Sequence, residues 1–377
     1  MATATETTCL SLRGDATELA DAVAVAATVA PAKSPRQVLQ NLLLEAADGV
    51  VRVTGSDLDL SVRVVVERVN VEREGRLLVN ASRLQQILRE LAGEEVTLEA
   101  DARQGCVITS PDSRFHVMGE EPDDYPEIGD WSEQGSFHLV AADLIRMIQR
   151  THFATHAEKT RYAMNGILID LRDQRLRLVA TDGKRMALCE RALEKGPEEQ
   201  VFVVVPTQAM TLLQRLMAGE ESVEVRVESS RVHFRTARAV LSARLIEGHF
   251  PPYEDVVPPE QDLKVSVGRE AFIHALRRAA LLGTKDSLAV RFAFNEEGLE
   301  LTSRIPEIGE TRVSLPLDYP GDPLEIGFNP QYFVDMLRVV DWAEATVELK
   351  DAQSAAVIRE RREDGSYLYL VMPLSLD

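Results

Sequence analysis

The alternation of apolar and polar positions along the chain runs through one pattern three times. A helix-patterned segment opens each third, with Leu19, Leu144 and Phe272 at equivalent places and spacings of 125 and 128 residues. Each is followed by a β-rich run that meets a turn and re-emerges: NLLLEAADGVVRVTGSDL from Asn41, NGILIDLRDQRLRLVATDG from Asn165 and LAVRFAFNEEGLELTS from Leu288. Asp48-Gly49 and Glu297-Gly298 are the turn signals, and the returning strands end at Thr54, Thr181 and Thr302. A short apolar strand then leads directly into a second helix, in LLVNASRLQQILREL, FVVVPTQAMTLLQRLM and EIGFNPQYFVDMLRVV, with junctions at Asn80, Pro206 and Asn329, 126 and 123 residues apart. Leu84, Ile87, Leu88 and Leu91 in the first of these helices share one face, as do Phe333, Met336, Leu337 and Val340 in the third. Ser82, Pro206 and Thr207 are suitable helix-start residues.

Each third therefore reads helix, strands, helix, strands, and acidic linkers containing Pro and Gly, EEPDDYPEIGD and EGHFPPYEDVVPPEQD, separate them. The expectation is an α+β chain of three tandem similar domains, at 1–132, 133–260 and 261–377, each with two helices packed on one face of an antiparallel sheet. Three such domains related by a constant rotation would present their helices along a curved wall, and a constant rotation tends to close rings.

Charge decides how such a ring could meet a polyanion. The formal net charge is −19, whereas ordinary nucleic-acid binding draws most of its non-specific affinity from Lys and Arg neutralising phosphates. A ring holds its polymer by topology and needs no net attraction. The helices do carry Arg83, Arg89, Arg146, Arg150, Arg215, Arg277, Arg278 and Arg338, with Lys33 just beyond the first. The competing reading makes these solvated faces of amphipathic helices.

Hydrophobic residues make up 45% of the chain, enough for real cores, and with 5% aromatics those cores are mainly Leu, Val, Ile and Ala. Cys9, Cys106 and Cys189 lie far apart with no CxxC spacing, which points to a reducing, cytoplasmic compartment and excludes a cysteine-based zinc site. The apolar stretch from Leu19 to Pro31 is flanked or interrupted by Asp15, Glu18 and Asp21 where a signal sequence would be basic, so it reads as a helix. No apolar run is long enough to span a bilayer, and no membrane partner is expected.

Several long matches, in order along the chain, resemble the bacterial DNA polymerase III beta subunit family, the sliding clamps. They are NLLLEAADGVVRVTGSDLDL in the first third, NGILI and VATDGKRMAL in the second, LIEGHFPPYEDVVP at its end, and the C-terminal YLVMPL. The resemblance covers essentially the whole chain. It implies a head-to-tail homodimer forming a closed ring around duplex DNA, with helices lining the hole and sheets outside. The ring would act as a sequence-independent processivity factor for the DNA polymerase III catalytic subunit, and would also engage the clamp loader and other proteins with a clamp-binding motif.

The resemblance also implies sites. A hydrophobic cleft for partner peptides, between the second and third domains, would use Met164, Thr181, Gly183, Lys184, Arg185, Met186, Pro251, Val256, Leu370, Val371, Met372 and Pro373. Methionines suit a surface that must repack around different ligands. Lys184 stands where the family often has His, and Asp255 where a basic residue is familiar. The dimer interface would set Phe115 and Val117 against Leu281 and Leu282 of the other copy, with Arg83 and Glu307 placed for an ion pair. Lys33, Arg161 and Tyr162 would lie near the duplex, together with Arg146, Arg150 and Arg215; the aromatic usual beside Tyr162 is Ala163 here.

Catalysis is not indicated and no cofactor is implied. His152 and His156 are four apart, but no Glu sits next to His152 as a zincin pattern requires. GxxxxGK[ST], GxGxxG and GxSxG are absent from the sequence, and TDGKR at Thr181 has a single glycine and lies between strands. A metal-dependent hydrolase on a triplicated scaffold, a tandem-repeat scaffold unrelated to DNA, and a diverged second clamp copy remain the alternative readings.

Overall fold

The computed structural model describes residues 10–101, 104–129, 131–158, 162–194, 196–197, 200–283, 289–306 and 308–376. Among them are six α-helices: α1 Ala16–Ala27, α2 Ala81–Glu90, α3 Ala141–Gln149, α4 Thr207–Leu216, α5 Arg269–Ala279 and α6 Pro330–Val339. Five are entered directly from a strand and α6 after the single residue Asn329, so their first-turn N–H groups need partners at the junction. The side chains of Asp15, Asn80 and Asn329 supply them at α1, α2 and α6, accepting from the backbone of Thr17, Arg83 and Gln331. Asn80 is thus the cap, Ser82 lies inside the helix, and Pro206 is the last residue of its strand.

Two compact units organise these elements, and they do not follow the sequence thirds. The first comprises Met1–Ala141 with Arg215–Arg244. Its strands form a five-stranded antiparallel sheet, in the order 69–73, 10–15, 95–100, 106–109, 114–117. They also form a nine-stranded one, in the order 119–120, 75–80, 41–47, 50–56, 60–66, 239–244, 231–235, 222–227, 137–140. Ala239–Arg244, from the second third of the sequence, pairs with Leu60–Val66 of the first, opposing Ala239 to Val64. That ladder draws part of the second third into this unit.

Helices α1 and α2 pack on each other, and α1 lies over strands 50–56 and 60–66. The approach is close enough that a Cβ on Gly55 would stand 2.2 Å from the Ala26 carbonyl oxygen. Asp48 and Gly49 both have positive φ and make the two-residue hairpin that the sequence signals. The linker crosses the nine-stranded sheet, where Tyr125 is buried over Leu43 and Leu78. The expected single sheet per third is therefore two sheets, and a linker covers part of the face expected to be open.

The second unit comprises Ala142–Gln214 and Leu245–Asp377. Its eight-stranded antiparallel sheet runs 201–206, 166–172, 175–181, 185–192, 365–371, 356–362, 344–349, 263–268. Here Arg185–Ala192 pairs with Gly365–Val371, joining the second third to the last. A four-stranded sheet follows the order 309–315, 298–305, 290–295, 324–328. Helices α5 and α6 pack together, and Phe272, Phe292, Phe328 and Phe333 meet with ring centroids 5.3 to 5.8 Å apart.

Candidate functional site

Three stretches of the second unit meet around the turn after strand 175–181. The Thr181 hydroxyl donates to the Arg185 carbonyl at 2.8 Å and accepts from the Gly183 amide, while the Asp182 carboxylate accepts from the amides of Lys184 and Arg185. Gly183 has φ +84°, a conformation that side chains strain to adopt. The amides of Gly183, Lys184 and Arg185 are thus satisfied within the turn, so it is not a phosphate cradle. The Lys184 carbonyl accepts from Met372 at 2.8 Å, and Arg185 opposes Val371 in the ladder, which sets the C-terminal segment beside the turn.

The linker forms the next side. Ala163 donates to the His249 carbonyl, joining the segment of Met164 to the linker just ahead of Pro251, and the turn Tyr253–Val256 follows. Beneath it, Met186 and Leu370 are buried with Leu168, Val179, Phe250, Tyr253, Val357 and Leu368. Val256 and Met372, three residues beyond Tyr253 and two beyond Leu370 of this cluster, are 58% and 43% exposed, and Met164, Pro251 and Pro373 are half-buried. A surface of this kind is apolar and adaptable. The four stretches singled out in the sequence therefore converge, but with different roles. Val371 is fully buried.

Arg185 does not point a free guanidinium at the surface. It bonds Asp182 at 3.0 Å, Asp335 at 2.7 Å and the Phe153 carbonyl at 2.7 Å, and stacks 4.4 Å from the Tyr332 ring centroid. It ties the turn to α6.

The residues expected at a dimer interface lie at sheet edges. Arg114–Val117 is the edge strand of the five-stranded sheet, with Phe115 half-buried and Val117 buried in its own unit. Met118, which the sequence reading missed, is 68% exposed. It follows the strand out of phase with Phe115 and Val117, so alternation alone gave no signal. Arg83 is exposed on α2. On the other unit Leu281 is 77% exposed and Leu282 half-buried, in a single turn after α5, next to the edge strand Gly309–Leu315 and the exposed Ile308. Glu307 lies outside the described residues.

Of the residues expected to face DNA, Lys33, Arg146, Arg215 and Tyr162 are exposed, and Arg161 lies outside the described residues. Arg150 is a correction. It is 5% exposed, paired with Glu360 at 2.7 Å and Asp341 at 3.4 Å, and lies against the rings of Trp342 and Tyr367. Arg150 follows Arg146 by one helical turn, but α3 ends at Gln149 and the chain there turns inward.

His152 and His156 each engage a ring nitrogen with nearby backbone at 3.0 Å, and among the described residues no three of His, Cys, Asp or Glu gather as metal ligands. Burial pushes the thiols of Cys106 and Cys189 up to about 12 and about 11.

Family models of the DNA polymerase III beta subunit match the chain in order: the N-terminal domain over residues 11–129, the central domain over 138–252 and the C-terminal domain over 254–375. The chain is 31% identical over 345 residues to the beta sliding clamp of Vibrio cholerae, covering 90% of this chain and 92% of that one. To the beta sliding clamp of Escherichia coli K12 it is 30% identical over 340 residues, with the same coverage of 90% and 92%. Among solved structures, the sliding clamp of Bartonella birtlesii bound to griselimycin superposes with a TM-score of 0.90 at 29% identity, over 97% of this chain and all of that one. The beta subunit of Thermotoga maritima gives 0.89 at 27% identity, over 98% of this chain and all of that one.

Proposed function

Because this chain belongs to the bacterial DNA polymerase III beta subunit family, we propose that two copies close head to tail into a ring around duplex DNA. The protein is a processivity factor, not an enzyme: it slides along DNA and tethers the replicative polymerase to it. The observation that carries this reading is the pairing of three consecutive clamp domains with a net charge of −19. An open acidic surface would repel DNA, whereas a closed ring retains it by confinement. Weak phosphate contacts through Lys33, Arg146 and Arg215, with Arg161 and Tyr162 near the duplex, then suit sliding, because they carry no sequence information. The functional domains are taken as 1–132, 133–260 and 261–377, and the working compartment as the cytoplasm.

The cleft of Val256, Met372, Met164 and Pro251 over Met186 and Leu370 receives apolar anchors of partner peptides. Its partners are the polymerase III catalytic subunit, the clamp loader and other motif-bearing proteins. Dimerisation sets the edge strand Arg114–Val117 against Gly309–Leu315 of a second copy, a heterologous contact covered by Phe115, Met118, Leu281, Leu282 and Ile308. Arg83 and Glu307 form its ion pair.

Loading onto circular and linear DNA tests the reading. Protein loaded on a closed circle is expected to stay bound, and to slip off once a single cut frees the ends. Equal retention on both substrates rejects topological binding.

A further inference from the structure

We propose that Asp170 and Arg172, which line no part of the cleft, are positioning residues for peptide capture, because they latch the turn that carries its Val256 wall. The inference rests on the cleft reading above.

Asp170, on strand 166–172, is fully buried, and a buried carboxylate demands partners. Arg172 grips it at both oxygens, Nε to Oδ1 at 2.7 Å and Nη2 to Oδ2 at 2.5 Å. The Tyr253 hydroxyl donates to Oδ2 at 2.5 Å. Arg172 also reaches the Glu254 carboxylate at 2.8 Å and the Tyr253 oxygen at 3.2 Å. Two consecutive residues of the turn Tyr253–Val256 are thereby fixed to the strand, and Val256 ends that same turn. Its own side chain projects into solvent, so its position is set by its neighbours in the turn. Burial and the adjoining Asp170 push the Tyr253 hydroxyl up to about 12, so it stays a donor at neutral pH.

The chain contains its own comparison. Tyr125, in the first linker, is buried over Leu43 and Leu78 much as Tyr253 is over its sheet, yet among the described residues no carboxylate accepts from its hydroxyl. The polar bonds that hold that linker lie at its exposed rim, where Arg76 reaches the Asp123 carboxylate at 2.7 Å and the Pro122 carbonyl at 3.2 Å. A fully buried carboxylate accepting from the tyrosine belongs to the linker that carries Pro251 and Val256. Buried ionic groups contribute little net stability over apolar ones, whereas their directional bonds fix geometry.

A double-mutant cycle on the intact full-length protein tests this, with griselimycin as the probe, read by calorimetry, and thermal denaturation run alongside. Tyr253→Phe removes one oxygen and keeps the packing; Asp170→Asn is the second variant. Each is expected to weaken binding about tenfold with Val256 present and less than about twofold in a Val256→Ala background. A purely structural role would give the same loss in both backgrounds. That result, or unchanged affinity in folded Tyr253→Phe protein, overturns the proposal. If Val256→Ala and Met372→Ala leave binding intact, the cleft assignment itself is wrong and the latch falls with it. A cleft that responds to those two substitutions and ignores Tyr253→Phe refutes the latch alone.

Discussion

Arg150 and Glu360 meet at 2.7 Å across the second unit, both side chains largely withdrawn from solvent, and the Tyr367 hydroxyl closes the contact by donating to the Arg150 carbonyl at 3.0 Å. The pair pins the end of α3 to the strands of the last third. Removing Glu360 leaves the buried Arg150 with only the longer 3.4 Å contact to the exposed Asp341, so Glu360→Ala is expected to cost about 3 kcal/mol or more in urea unfolding. A cost below about 1 kcal/mol would show that the pair is replaceable by water. Arg150→Ala is expected to leave DNA retention by the folded fraction unchanged, in contrast to Arg146→Ala.

Acid should loosen the same contact. Burial acts to raise the Glu360 carboxyl, but hydrogen bonds from Arg362, Arg150 and Trp342 outweigh it and hold the group below the ordinary glutamate value of 4.5. A carboxyl lowered on folding adds stability above its unfolded value and loses it as pH falls through the lowered one. Stability of the wild type should therefore decline below about pH 4.5, and Glu360→Gln should flatten that part of the profile. Identical profiles for the two proteins would refute the assignment.

Arg185 bonds three acceptors and stacks on Tyr332, a geometry that needs a planar fork. Arg185→Lys keeps the charge and loses the fork, and is expected to destabilise by about 2 kcal/mol. Unfolding at the wild-type midpoint would mean that charge alone suffices.

Leu281 is exposed in the single chain, so Leu281→Asp should not harm its folding. In a dimer the same carboxylate would be buried against apolar surface. Sedimentation of this variant is expected to show monomers with a native melting temperature, and an intact dimer would move the interface elsewhere.

The repeat was legible because burial enforces periodicity. Leu19, Leu144 and Phe272, placed by spacing alone, are all buried core residues of opening helices. What the spacing could not convey was partner choice between distant strands. Nothing local to Ala239–Arg244 says that it pairs with Leu60–Val66, because a ladder is made of backbone groups that every sequence carries. The same limit applies to the cleft. Its segments converge as the motifs suggested, yet sequence could not separate Met372, which reaches solvent, from Val371, which is buried beside it. Nor could it show that Arg185 and Arg150 were already engaged, since ion partners 150 and 210 residues away leave no periodic trace.

Neighbouring thirds are joined by main-chain ladders, at 60–66 with 239–244 and at 185–192 with 365–371. Such joints are made by backbone groups, so outward side chains there with no bond of their own are free to vary, whereas Arg185, Glu190 and Arg191 are ion-paired and a Cβ on Gly365 would stand 2.2 Å from the Glu190 carbonyl oxygen. Rewriting those outward positions to tune solubility or to graft a new binding epitope should leave the joints whole, provided that no proline enters the paired strands.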